Sequence, residues 1–172
     1  MGIFDFFKKK ETKQNTNLKS SESENLVDEA QEEFIQKSTS NAERIVDGFG
    51  EKFDDAFDYS IESLEVLDEL LENFADFAEQ MDEEMKSDLI AQAGSYIFEV
   101  ARRNYGGKYF WYDQLNQPIL VTGLPSFEIS ILAFKKVKLR IENGSEDSIP
   151  YFFKGYEERV KQAKAGDKAM IV

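Results

Sequence analysis

The sequence predicts an α+β fold: an antiparallel helical pair packed on a small β-hairpin or three-stranded sheet, followed by one or two C-terminal helices. Three observations carry this. Two stretches, Ile61–Glu79 and Glu83–Asn104, repeat apolar residues at helical spacing. Between Lys108 and Gly123, the runs KYFWYD and PILVTG flank a short polar turn at Leu115-Asn116-Gln117. Beyond Asn143-Gly144, Ser148 and Pro150 are placed to start a further helix. A chain of 172 residues suits one domain plus an arm, and can bury a core without cross-links.

The chain opens with MGIFDFFKKK, an aromatic run backed by three lysines. Lys8 to Asn25 is rich in Ser, Asn, Lys and Glu and almost free of large apolar residues, so residues 1–25 read as a disordered arm with a short amphipathic start. The apolar run is too short for a secretory signal, and its lysines follow it instead of preceding it. Phe6 stands where the myristoylation pattern needs Ser or Thr. No later run approaches a membrane span, and the expected location is the cytoplasm. Met1–Lys10, wound as one turn, would attach only weakly and reversibly to a membrane surface or a groove.

Residues 26–58 read as a helical arm. Val27, Ala30, Phe34 and Ile35 make one apolar edge; Ile45, Phe49, Phe53 and Phe57 make a second. Gly48 and Gly50 weaken its middle. Two dispositions stay open, packing on the main domain and packing on a partner.

The globular α+β domain is expected over residues 59–165. Ser60 is placed as an N-cap. Ile61, Leu64, Leu67, Leu70, Leu71, Phe74 and Phe77 then share one helical face. Glu62, Glu65, Asp68, Glu69, Glu72, Asp76 and Glu79 fill an arc of roughly 120° on the other. Met81-Asp82 interrupts the pattern. A second helix follows, with Met85, Leu89, Ile90, Ala93, Tyr96, Ile97 and Val100 on one side. Gly94 inside it points to close approach by a neighbouring element.

The densest stretch is ARRNYGGKYFWYD, Ala101 to Asp113. A phosphate cradle follows a strand and opens a helix, so that helix N-terminal amides face the anion. Here the order is reversed. Arg102 and Arg103 complement a helix C-terminus, Glu99 lies at pairing distance from both, and Asn104 with Gly106-Gly107 supplies the stop. The two arginines remain candidates for a weak anion site built from side chains alone. In the strand, Tyr109 and Trp111 should share one face and Phe110 and Tyr112 the other, and aromatics on both faces point to a buried or well-covered strand. SFEIS reads as a short third strand. Phe134–Glu142 fits a helix or an alternating strand, and the opening ILAFKK favours the helix. IPYFFKGYEERVKQA should be helical, and residues 166–172 form a tail that frays or docks through Met170–Val172.

Charge is uneven. The net charge of −13 divides into −6 over residues 1–58 (14 acids, 8 bases), −11 over residues 59–100 (12 acids, Lys86 the one base) and +4 over residues 101–172 (8 acids, 12 bases). Such a middle repels nucleic acid and anionic lipid and attracts basic proteins. There is no cysteine and no histidine. Thiol nucleophiles, Ser–His and Cys–His pairs and the commonest transition-metal ligands are therefore absent. NGSED lacks the alternating oxygens of a calcium loop. No catalytic residue, metal site or cofactor is expected.

Gly94, Tyr96, Glu99, Arg103, Asn104, Gly106, Gly107 and Trp111 give Ser60–Tyr156 a layout that resembles small bacterial domains without an assigned activity. In these a helical pair runs to a Gly-Gly turn and a tryptophan strand. Some small acidic bacterial proteins of this general kind are immunity proteins that neutralise toxins, an analogy of size and charge. The expected function is a non-catalytic acidic protein-binding module, of the immunity or inhibitor kind, that covers a basic partner through the seven carboxylates from Glu62 to Glu79. The alternatives are a membrane-surface adaptor using Met1–Lys10 and a carboxylate-based hydrolase.

Overall fold

The computed structural model describes residues 19–172, with side-chain surroundings from residue 28 onward. Met1–Lys10 lies outside the described residues. Five α-helices and a four-stranded mixed sheet make an α+β fold within that span. Helix α1, Lys19–Phe49, takes in both the end of the stretch expected as disordered and most of the expected helical arm. It ends at the weak point foreseen in the sequence, where Gly50 donates to Val46 O at 2.7 Å. It packs along α3, with Ala42 and Ile45 fully enclosed, so the arm is part of the main core.

Helix α2, Ser63–Ala75, buries Leu64, Leu67, Leu70 and Leu71. Ser60 Oγ accepts from Ser63 N at 3.2 Å, which gives it the capping role its position suggests. The helix stops before Phe77, which is 57% exposed instead of joining the apolar face. Helix α3, Glu83–Tyr105, is capped by Asp82, whose carboxylate accepts from Met85 N at 2.8 Å. Met85 is exposed, while Leu89, Ala93, Tyr96, Ile97 and Val100 are buried as the periodicity requires.

Strands β1 (Lys108–Tyr112), β2 (Gln117–Thr122) and β3 (Glu128–Ile131) form an antiparallel meander. Helix α4, Ala133–Asn143, resolves the ambiguous stretch in favour of the helix. Helix α5, Ile149–Gln162, starts at Ser148 with Pro150 in its first turn. The tail corrects the expectation of a fraying end: β4, Lys168–Ile171, pairs parallel to β3 in the order β1-β2-β3-β4. Its pairing partner lies some 40 residues away, so no local turn signal announces it.

The helical pairing also differs from expectation. The main helical neighbours of α3 are α1 and α4, while α2 packs on α4 and α5. The reason lies in α4. Phe134 rests where a Cβ on Gly94 would stand, and its ring stacks on Phe98 at 5.7 Å. On the other side, Arg140 of α4 reaches into α2. The close approach foreseen for Gly94 is therefore made by α4. Tyr109, Leu120, Ile129 and Ile131 join the main core from the sheet; Ile119, Val121 and Leu132, with Phe110 and Tyr112, form a second cluster. Among the described residues no helix is long and apolar enough to cross a membrane.

Candidate functional site

Three features of the surface and interior bear on function: the end of α3, a cleft beside it, and the carboxylate face of α2.

The end of α3 is a closed polar knot. Glu99 is fully enclosed. Its carboxylate accepts from Arg102 Nε at 3.0 Å and Nη2 at 2.7 Å, from Arg103 Nε at 3.3 Å and from Tyr109 OH at 3.2 Å. Burial opposes ionisation of Glu99, but these bonds and the charge of Arg102 outweigh it and hold the carboxyl below the ordinary glutamate range. The Arg103 guanidinium lies 3.6 Å over the Tyr59 ring. Asn104 Nδ2 donates to Tyr59 O at 3.3 Å and to Val100 O at 2.8 Å. Tyr59 N in turn donates to Tyr96 OH, which donates to Ser63 Oγ. Gly106 and Gly107, with φ of 71° and 137°, turn the chain into β1. A Cβ on Gly107 would stand 3.0 Å from Val121 O. Tyr59, Tyr96, Glu99, Arg103, Asn104 and Tyr109 thus tie α3, the loop before α2 and β1 together. Arg102 and Arg103, the anion-site candidates, are committed to Glu99.

Tyr109 is the core aromatic of β1, at 2% exposure. Its hydroxyl is also hydrogen-bonded to Ser38 Oγ at 2.8 Å, and burial pushes it well above the usual tyrosine range. Its backbone is met by α1: Gln31 donates to Tyr109 O at 2.6 Å and accepts from Tyr109 N at 2.8 Å. This side-chain amide satisfies the free edge of the sheet as a strand would. Trp111 is half-buried because it faces the cleft.

The cleft has a volume of about 750 Å³. Its floor is a face of α3 from Glu83 through Ile90 and Ser95 to Phe98. Phe34, Lys37, Ser38 and Asn41 of α1 make one wall; Phe134, Lys138, Ile141 and Glu142 of α4 make the other. Tyr109, Trp111 and Pro118 close one end, and Ala75, Ala78 and Glu79 lie at the other. Glu83 is paired with Lys86 at 3.4 Å and Glu142 with Lys138 at 3.8 Å. Among the described residues, no group of three Asp or Glu side chains is placed to hold a metal ion.

On α2 and its exit, Glu62, Glu65, Glu69, Glu72, Asp76 and Glu79 are exposed. Among the described residues, Glu72 is the one of these six with an ion-pair partner, Arg140 Nη2 at 3.4 Å. Asp68 departs from the group. It is half-buried and takes a bidentate bond from Arg140, Nε to Oδ1 at 2.9 Å and Nη2 to Oδ2 at 3.0 Å. Asp68 Oδ1 also accepts from Ile149 N at 2.7 Å. Arg140 is 1% exposed, and its Nη1 has no hydrogen-bond partner among the described residues. Lys136, 8% exposed, bonds Asp147 at 2.7 Å. Of the four bases on α4, Lys135, Lys136, Lys138 and Arg140, two are therefore internal. The signal for Asp68 was available: it sits at the edge of the acid arc, four residues from Leu64 and three from Leu71.

No family model, curated protein or solved structure matches this chain.

Proposed function

We propose that this chain is an acidic binding module that acts without catalysis, and that the carboxylate ridge of α2 receives a basic protein. The observation that carries the reading is the set of six exposed carboxylates from Glu62 to Glu79, five of them without a basic partner among the described residues. The helical part of this ridge, Ser63–Ala75, is roughly 20 Å long at 1.5 Å per residue. That is a footprint for a cationic surface, not for a single ion. A ridge of one sign steers an oppositely charged protein and speeds encounter, and its effect falls with salt. The same charge disfavours nucleic acid. The interior acids offer no alternative chemistry: Glu99 is ionised and spent on two arginines, and Asp68 is spent on a third.

Covering a basic toxin, as immunity and inhibitor proteins do, is the role that fits such a ridge. The test is calorimetric titration of the basic product of a neighbouring toxin-like reading frame into the purified full chain. Tight binding at low salt that weakens as salt rises supports the reading. No binding, together with no toxicity of the neighbour, overturns it.

A further inference from the structure

We propose that the cleft along α3 is the docking groove for the chain's own first residues, Met1–Phe7. Of the α2 ridge it uses Glu79 alone, so it stands or falls apart from the binding of a basic protein there.

The groove has the form that accepts an amphipathic helical turn: a helix as floor and a helix on either side. Aromatic and aliphatic side chains, among them Phe34, Ile90, Phe98, Trp111 and Phe134, make up half of its lining residues, and polar or charged ones make up the rest. Met1–Phe7 is the matching sequence. At 100° per residue, Ile3, Phe4 and Phe7 share one face, Phe6 flanks it and Asp5 lies opposite. Aromatic side chains meeting an aromatic-lined groove gain from ring packing as well as from burial.

Charge agrees. Lys8, Lys9 and Lys10 follow the apolar run directly. At the groove mouth Lys86 and Lys138 are already paired with Glu83 and Glu142, which leaves Glu79, the end of the α2 ridge, facing the triple lysine. Lys37 on the α1 wall is the natural counterpart of Asp5, the segment's one carboxylate.

Reach is ample. From Lys19, where α1 begins, to Phe34 on the groove wall is 15 residues, about 22 Å of helix at 1.5 Å per residue. Lys8–Leu18 is 11 residues, about 36–40 Å when extended. A tether of that length keeps the segment at a high effective concentration over the groove, so weak contacts suffice. Docked, the segment covers the aromatic side chains of the groove; released, it is free for a surface or a partner.

Trp111, the chain's single tryptophan, lines the groove and reports its filling. The experiment compares tryptophan emission and acrylamide quenching in the full chain and in the full-length triple variant Ile3→Ser/Phe4→Ser/Phe7→Ser. Far-ultraviolet circular dichroism serves as the check on folding. The expected result is emission at longer wavelength and stronger quenching in the variant, reversed saturably by a synthetic MGIFDFFKKK peptide. A second variant, Ser87→Glu/Ala91→Glu on the groove floor, should show the exposed tryptophan even with the native N-terminus and should not respond to the peptide. Identical emission and quenching in wild type and triple variant would overturn the proposal. So would a difference that appears only as protein concentration rises, which assigns the groove to a second copy. Unchanged tryptophan with pelleting of the full chain on phosphatidylglycerol vesicles would overturn it too and assign the segment to a membrane surface.

Discussion

Glu99 on α3 and Glu69 on α2 are glutamates on successive helices of one core, and they occupy opposite situations. Glu99 is sealed from solvent and receives four hydrogen bonds, three of them from arginines. Glu69 stands in water on a ridge of like charges. The contrast recurs between adjacent residues: Asp68 binds the buried Arg140 and the first amide of α5, while the Glu69 carboxylate has no hydrogen-bond or ion-pair partner among the described residues. Interior acids in this protein hold elements together. The exposed acids of the α2 ridge, Glu72 apart, have no basic partner among the described residues, and a row of unpaired like charges costs stability unless something outside the chain meets it.

This comparison makes quantitative predictions. The largest effect belongs to Asp68→Ala. Removing it strands a guanidinium that is 1% exposed, and breaking a buried pair from one side costs about 3–5 kcal/mol. Urea denaturation should show the loss, and the neighbouring Glu69→Ala should not.

Glu99→Gln comes next. It keeps the shape but gives up charge-assisted bonds, each worth about 1.5–3 kcal/mol; the two arginines are partly exposed and recover some of this in water. The pH dependence has a definite sign. The folded carboxyl is depressed relative to the unfolded one, so Glu99 contributes stability above the ordinary glutamate range and loses it as pH falls through the folded value. In the Gln variant the acid limb of the stability curve should be flatter.

Tyr109→Phe removes one buried hydroxyl, its donation to Glu99 and its bond with Ser38. A net loss of about 1 kcal/mol is expected, visible as a small drop in denaturation midpoint with no change in slope. The smallest effect is that of Glu69→Ala, within about 0.5 kcal/mol of wild type.

Much of this architecture is legible in the sequence where the signal is local and periodic. The apolar faces of α2 and α3 repeat every turn, and the stop at Asn104-Gly106-Gly107 follows from residues that tolerate left-handed backbone. The salt links from Glu99 to Arg102 and Arg103 follow from helical spacing. What escapes the sequence depends on a distant partner. The strand Lys168–Ile171 exists because β3 offers it an edge. Trp111 yields the core to Tyr109 because α1 supplies Gln31 and Ser38 to the latter. Arg140 reads as one more base on α4 until α2 comes alongside with Asp68. The cleft is least legible of all, since four separate parts of the chain build its walls.

The most direct measurement sets the two kinds of acid side by side in one assay. Urea stability and calorimetric binding of the basic partner are measured for wild type, for Asp68→Asn and for the ridge reversal Glu62→Lys/Glu65→Lys/Glu69→Lys/Asp76→Lys. The account predicts that Asp68→Asn loses stability yet binds at any temperature where it is folded, while the ridge reversal keeps its fold and loses binding. A ridge reversal that binds as tightly as wild type, with the same salt dependence, would contradict it.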